Sequence, residues 1–269
     1  MYSLYLECPE HEAELLSAEL WDEGATGIQE DPLPGSRCLL RAWFEDPTGL
    51  VQRFSTFHPR LESEPDIDWE AACRQAWQPF NLGRRLYLAP EWDENPTPRG
   101  RLRLTIHPGQ ALGSGAHPAT QLCLEALEEH IGPAVTVLDV GTGSGILVSA
   151  AILLGARRAA GCDIDFHSVS IARSNLFHDA VPPLLFTGST RAVRSQSADV
   201  VVANINAVAH ETLAREYGRI CRRTLILSGF PDRHAARVQA ALLPCGFSVT
   251  KTLTRQEWIC LVLCKEETS

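Results

Sequence analysis

Residues 137–147 read Val-Leu-Asp-Val-Gly-Thr-Gly-Ser-Gly-Ile-Leu, an apolar run that passes through a glycine-rich turn into a second apolar run. This order constrains the fold more than any other stretch of the chain. It describes a buried strand, a tight turn and a helix, the opening of a nucleotide-type α/β unit. Gly141, Gly143 and Gly145 let the backbone approach a ligand where a Cβ would intrude. Asp163 follows Gly141 by 22 positions, at the end of the next predicted strand, where its carboxylate can accept both ribose hydroxyl protons. The spacing is G-x-G-x-G with Ile146 at the sixth position, whereas a dinucleotide fingerprint places a glycine there to bring the helix close beneath a pyrophosphate. The wider turn suits an adenosine-type ligand that carries no phosphates.

The flanking sequence alternates as such a fold requires. Helices are predicted over 118–131, 144–155 and 166–178, and strands over 135–140, 159–163, near 184 and over 199–203. Helix and strand in alternation imply a parallel sheet with covering helices. The strands at 135–140 and 199–203 are nearly continuous apolar runs, the pattern of central strands buried on both faces, so their ends at Gly141 and Asn204 should lie side by side. Strands are also expected at 223–228, 247–252 and 257–263, the last two as an antiparallel pair.

The front of the chain has a different pattern. Strand 2–7, helix 10–23 ended by Gly24, strands 26–30 and 37–44, helix 48–57 and strand 60–67 give the order β-α-β-β-α-β, the ferredoxin-like motif. A connecting helix over 68–80 with Asp68 as its N-cap, and strands over 80–88 and 101–106 around a Pro-rich loop, lead into the second region. The expected organisation is a ferredoxin-like α+β domain over 1–67, a linker over 68–80 and a Rossmann-like α/β domain over 81–269.

Charge separates these regions. Residues 1–70 hold 16 Asp and Glu against four Arg, a net of −12, while the rest of the chain is +3. Such a front repels nucleic acid and attracts basic protein surfaces. The first 14 residues carry Glu7, Glu10, Glu12 and Glu14 and resemble no secretory signal, and no apolar run reaches membrane-spanning length. The nine cysteines are scattered without a C-x-x-C, which suits reduced thiols in a cytoplasmic protein with no metal centre.

Four segments in order sharpen the reading: Leu104 to Thr120 (LTIHPGQALGSGAHPAT), the glycine turn after Asp139, Gly161-Cys-Asp-Ile-Asp165, and Val201-Val-Ala-Asn-Ile-Asn206. The glycine turn resembles motif I of the class I S-adenosylmethionine methyltransferases, and the four together resemble the ribosomal protein L11 methyltransferase (PrmA) family. Segments 17–28 and 255–260 resemble the front and tail of that family, so the likeness spans essentially the whole chain. The resemblance implies a protein amino-group methyltransferase with an N-terminal substrate-recognition domain and S-adenosyl-L-methionine as cofactor, contacted at Thr120, Gly141, Gly143, Asp163 and Asn204. It implies a basic ribosomal protein, L11, as partner; from charge and hydropathy no direct nucleic-acid or membrane partner is expected, and the chain is expected to be a monomer. Leu112, Ser114, Ala116 and Ala119 depart from the usual loop A-F-G-T-G-T-H-P-T-T, and Asn206 replaces a common leucine.

Asn204 is the candidate catalytic residue, because an amide oxygen accepts an N–H bond from an amine without adding charge; its alternative role is to cap the helix starting near Ala207. Asp165 is expected to cap the helix from Phe166. His107 and His117 are expected to shape the loop between them, and Trp258 to serve as core or pocket wall. Two other readings remain open on sequence alone: a class I enzyme acting on RNA or a small metabolite, and a non-catalytic S-adenosylmethionine-binding module.

Overall fold

The computed structural model describes residues 1–63, 77–107, 115–176 and 183–266, and the chain separates into two compact units, Met1–Ala72 and Cys73–Ser269. Residues 68–76 of the predicted linker helix, the last part of the strand expected over 60–67 and most of the loop before His117 lie outside the described residues, while 77–79, expected as the end of that helix, are irregular and lead into a strand at Phe80.

In the first unit, strands β1 (Tyr2–Pro9), β2 (Gly27–Leu33), β3 (Arg37–Phe44) and β4 (Arg60–Ser63) form one antiparallel sheet in the order β2-β3-β1-β4, the ferredoxin-like order. Period-two alternation assigns the faces. Leu4, Leu6, Leu40, Ala42 and Phe44 point into a core closed by Leu16 and Leu20 of helix α1 (Ala13–Asp22) and by Leu50 and Phe54. The helix expected over 48–57 is only one turn long, α2 (Leu50–Arg53), followed by a 3₁₀ turn at Ser55–Phe57. Arg41 lies over the rings of Tyr5 and Trp43, and Arg60 over Tyr5, on the side of the sheet away from that core.

The second unit holds a seven-stranded sheet in the order β10-β9-β8-β11-β12-β14-β13. The strands are β8 (Thr136–Val140), β9 (Arg158–Asp163), β10 (Leu184–Thr187), β11 (Ala198–Asn204), β12 (Cys221–Pro231), β13 (Phe247–Arg255) and β14 (Trp258–Lys265). β10, β9, β8, β11 and β12 run parallel, and β14 and β13 add the antiparallel pair foreseen from sequence. Helices α3 (Pro118–His130), α4 (Ile146–Leu153), α5 (Phe166–Asn175), α6 (Ala207–Ile220) and α7 (Ala235–Leu242) connect and cover them. The order of strands reverses between β8 and β11, which places a topological switch point, and therefore a ligand crevice, at their C-terminal ends. Val200, Val201, Val202 and Ala203 of β11 are all buried, two facing each layer of helices. That two-sided burial is why the run is apolar without alternation.

The stretch 80–88 is a correction: it is a hairpin, not one strand. β5 (Phe80–Leu82) and β6 (Leu86–Pro90) are antiparallel, and β7 (Leu102–Ile106) pairs parallel to β6. The turn is imposed by Gly83, whose φ is +55°, and by Glu128 of α3, whose carboxylate accepts backbone N–H groups from Arg84, Arg85 and Leu86 at 2.9, 2.9 and 3.0 Å. A Cβ at residue 83 would sit 2.5 Å from that carboxylate. Arg101 donates to the carbonyls of Leu82, Gly83 and Leu86 and closes the same turn. Local sequence pattern carries no trace of a carboxylate 43 residues away.

Glu128→Ala should therefore strand three turn donors and lower stability by about 2–3 kcal/mol, the usual size for hydrogen bonds to a charged group. Urea unfolding would show this as a lower midpoint at unchanged slope; a midpoint equal to that of the parent would remove Glu128 from this role.

Candidate functional site

At the switch point a cavity of about 740 Å³ opens over the sheet, lined among others by Thr120, Gly141, Thr142, Gly143, Asp163, Asn204, Ile205 and Gly229. All five residues named from sequence as cofactor contacts or catalytic group meet here, brought together from α3 and from the ends of β8, β9 and β11.

The glycine turn forms one wall. Gly141, Gly143 and Gly145 have φ of +76°, +51° and +82°, all in the left-handed region that other L-residues avoid. A Cβ on Gly141 would come within 2.5 Å of Ile205 Cγ2, and one on Gly145 within 2.7 Å of Leu176 Cδ1. The turn is therefore close-packed from behind while its backbone faces the cavity.

Asp163 is the last residue of β9. Its Oδ2 accepts the Gly143 N–H and its Oδ1 the Asp165 N–H, both at 3.1 Å, which orients the carboxylate and leaves each oxygen further acceptor capacity. Asp165 caps α5 as expected, accepting from the backbone of His167 and Ser168 and from Ser168 Oγ. These bonds, first among them that from the Ser168 hydroxyl, hold the Asp165 carboxyl below its ordinary value.

Asn204 ends β11. Its Nδ2 donates to Thr120 Oγ1 at 3.0 Å, which ties the strand end to the first turn of α3. Among the described residues no donor is bonded to Asn204 Oδ1. The helix-cap role falls to Asn206, whose Oδ1 accepts the Ala209 N–H at 2.9 Å. Asn206 thus has a local structural function, and Asn204 faces the cavity.

The loop histidines also have local partners. His117 caps α3, its Nδ1 accepting from the Ala119 N–H at 3.2 Å, and its ring stands edge-on to Trp258 at 4.4 Å. Burial lowers its pKa. His107 pairs with Glu91 at 2.8 Å. Trp258 packs against His117 and does not line the cavity.

Two features escaped the sequence reading. Asp139 stands next to the end of its strand, wholly buried, with Oδ2 accepting from Thr142 Oγ1 at 2.8 Å and Oδ1 without a partner among the described residues. Burial pushes its carboxyl up to about 7. His210, on α6 behind Ile205, is also wholly buried. An acid within an apolar strand was the signal available for Asp139; for His210 there was none, because helix-face histidines are common.

The cavity fits a nucleoside that carries no phosphate. Its floor is glycine backbone left bare of side chains, because the Cβ positions at Gly141 and Gly145 are taken by Ile205 and Leu176, the Asp163 carboxylate lies in its lining, and among the described residues that lining includes no Lys or Arg to neutralise phosphates. The lining instead includes Ile164, which is 82% exposed and gives an apolar rim of the kind a flat purine can cover. Fold and site together define a class I S-adenosylmethionine-dependent methyltransferase.

The comparisons with known proteins agree. The family model described as Ribosomal protein L11 methyltransferase (PrmA) matches residues 43–266. A ribosomal protein L11 methyltransferase of Desulfosudis oleivorans is 34% identical over 93% of this chain and 92% of its own length, and one from Azotobacter vinelandii is 39% identical over 74% and 69%. The crystal structure of a ribosomal protein L11 methylase from Lactobacillus delbrueckii subsp. bulgaricus superposes with a TM-score of 0.65 at 29% identity, covering 71% of this chain and all of that one. The chain belongs to the ribosomal protein L11 methyltransferase family, whose methyl donor is S-adenosylmethionine.

Asp139 gives a pH prediction. Its folded pKa lies above the ordinary 3.8, so between about pH 4 and pH 7 the unfolded chain has released this proton while the folded one retains it, and stability falls as pH rises through that window. Asp139→Asn abolishes that slope. Its stability relative to the parent should improve by up to roughly 4 kcal/mol from pH 4 to pH 8, because each tenfold change in proton affinity between folded and unfolded chain is worth about 1.4 kcal/mol. Denaturant midpoints at the two pH values measure it, and a pH-independent difference would show that the carboxyl titrates normally.

Proposed function

We propose that this methyltransferase modifies amino groups, of lysine side chains or of the N-terminus, on ribosomal protein L11. The observation that carries the reading is the placement of Asn204, tethered through Nδ2 to Thr120 with Oδ1 free to accept, in one cavity with the Asp163 carboxylate. The printed names of the relatives supply the protein substrate.

Asp163 would hold the ribose hydroxyls, the backbone at Gly141 and Gly143 would lie against the nucleoside and the methionine portion, and Thr120 would keep the Asn204 amide in one orientation. When bound, S-adenosylmethionine supplies a methyl group already activated on a sulfonium. The protein's work is then alignment and exclusion of water, effects worth up to roughly 7–11 kcal/mol in favourable systems. An amine reacts only as the free base, and desolvation beside a cationic centre lowers its pKa without a dedicated base. Asn204 Oδ1 can accept one N–H of the neutral amine and so direct its lone pair. A carboxylate in that place would favour the unreactive ammonium form instead.

Recognition of the protein substrate is assigned to the acidic first unit. Its net of −12 over residues 1–70 favours encounter with a basic protein, with a salt dependence that follows from charge screening.

Labelled methyl groups should pass from S-adenosylmethionine to purified L11, with the rate falling as salt rises; a panel of amine, RNA and metabolite acceptors in which only L11 stays unlabelled would overturn the assignment. Asn204→Ala should lower kcat at least about tenfold, equivalent to about 1.4 kcal/mol, with cofactor affinity changed less. Asp163→Ala should weaken binding of S-adenosylhomocysteine at least about tenfold by calorimetry, and unchanged affinity would take the ribose role from this residue.

A further inference from the structure

His210 lies one helical turn after the Asn206 cap, its own N–H donating to the Asn206 carbonyl at 3.2 Å. Its imidazole is wholly enclosed, with the Ile205 backbone nearby, and among the described residues the Tyr217 hydroxyl and the Ser228 carbonyl are the hydrogen-bond partners that fix its proton. Nε2 is 2.9 Å from the Ser228 carbonyl, which only accepts, so Nε2 carries the hydrogen. Nδ1 is therefore the acceptor for the Tyr217 hydroxyl at 3.1 Å. The ring also stands edge-on to Phe230, at 5.3 Å between centroids. Desolvation depresses the pKa to about 4, so the imidazole is neutral and the tautomer single.

The Ser228 carbonyl is a junction. It also accepts the N–H of Ile205, the residue after Asn204, at 3.0 Å, and Asn204 and Ser228 form the last register pair of β11 and β12. Ser228 Oγ donates to the Ile259 carbonyl of β14 at 2.7 Å. The next residue, Gly229, lines the cavity, and a Cβ there would come 2.5 Å from the Ile205 carbonyl. The peptide that His210 grips therefore sets where Asn204 and Ile205 stand at the acceptor side of the site.

The rest of the buried face of α6 is Ala207, Ala214, Tyr217 and Ile220. An apolar side chain at 210 would fill that space without the cost of desolvating an imidazole, and the Ser228 carbonyl would still be satisfied by Ile205; only the buried Tyr217 hydroxyl would lose its acceptor. Burying the polar pair brings little net stability, since each bond replaces one that the same groups make to water in the unfolded chain. What it adds is direction, because a fully satisfied buried network admits one arrangement.

We propose that His210 is a positioning residue for methyl transfer, acting through the Ser228–Gly229 peptide to hold the Asn204–Ile205 turn in register with the acceptor amine. The claim rests on the methyl-transfer reading of the cavity, and its test keeps the two separable. In the full chain, His210→Leu should lower kcat for L11 at least tenfold while the Kd for S-adenosylhomocysteine stays within threefold. His210→Gln, whose amide N–H can reach the same carbonyl, should recover most of that loss. Val238→Ala, a buried truncation in α7, is the control for stability alone: it should lower Tm while leaving kcat within twofold. Hydrogen exchange at the Ile205 amide should accelerate at least tenfold in His210→Leu, or in His210→Met if the leucine variant does not fold, and should not do so in His210→Gln or Val238→Ala. The proposal is overturned if kcat in the apolar His210 variants merely tracks Tm along the line set by Val238→Ala, or if Ile205 exchange is unchanged in them. Should the parent transfer no methyl group to L11, the substrate assignment alone fails, and Ile205 exchange still decides the role of His210.

Discussion

Every feature of the site depends on the parallel pairing of β8 with β11, Val140 opposite Ala203, at the point where strand order reverses. Both strands are buried on both faces, so hydrophobic burial and the hydrogen-bond ladder act together to fix their register. A slip of one residue would move Val201 and Val202 to the wrong helical layers. That rigidity at the strand bodies is what permits unusual chemistry at the strand ends. Left-handed glycines, a carboxylate oriented by two amides, and an asparagine tied to a threonine 84 residues away all follow directly after the best-packed part of the sheet.

The polar groups around the cavity are arranged in depth. Asn204 and Asp163 face the space where a ligand would lie. Behind them, Thr120, the Gly143 amide and the Asp165 amide set their orientation. Deeper still, Asp139 and His210 are enclosed, the first held near neutral pKa and the second uncharged. Burial explains both shifts, since it disfavours whichever form is charged, raising an acid and lowering a base. Among the described residues no Lys or Arg lines the cavity, which agrees with a ligand whose own charge is positive at sulfur and which has no phosphates to balance.

Much of this was legible in sequence because it depends on short-range rules. The G-x-G-x-G turn, the alternation of helix and strand, the apolar central strands and the carboxylate at the end of β9 each follow from local periodicity and from glycine's freedom at positive φ. The antiparallel tail and the ferredoxin-like order of the front sheet were read the same way. The clearest error had a long-range cause: residues 80–88 form a hairpin because Glu128 captures three of its amides. The helix after Thr48 is one turn long and passes into a 3₁₀ turn at Ser55–Phe57. Asn204 and Asn206 stand two positions apart with the same side chain, and only their neighbours distinguish the one bonded to Thr120 from the one capping α6.

The amino-acid order by itself determined the elements, their parallel stacking and the residue types at the strand ends, since helix and strand periods and the steric demands of a glycine turn are properties of neighbouring residues. Tertiary structure decided which polar groups lose water and which acquire partners. Asp139 is an ordinary carboxylate until the sheet encloses it, and His210 an ordinary helical histidine until Ser228 and Tyr217 fix its tautomer. Desolvation and hydrogen-bond partnership are set by atoms distant in the chain, and so they exist only once the chain has closed around them.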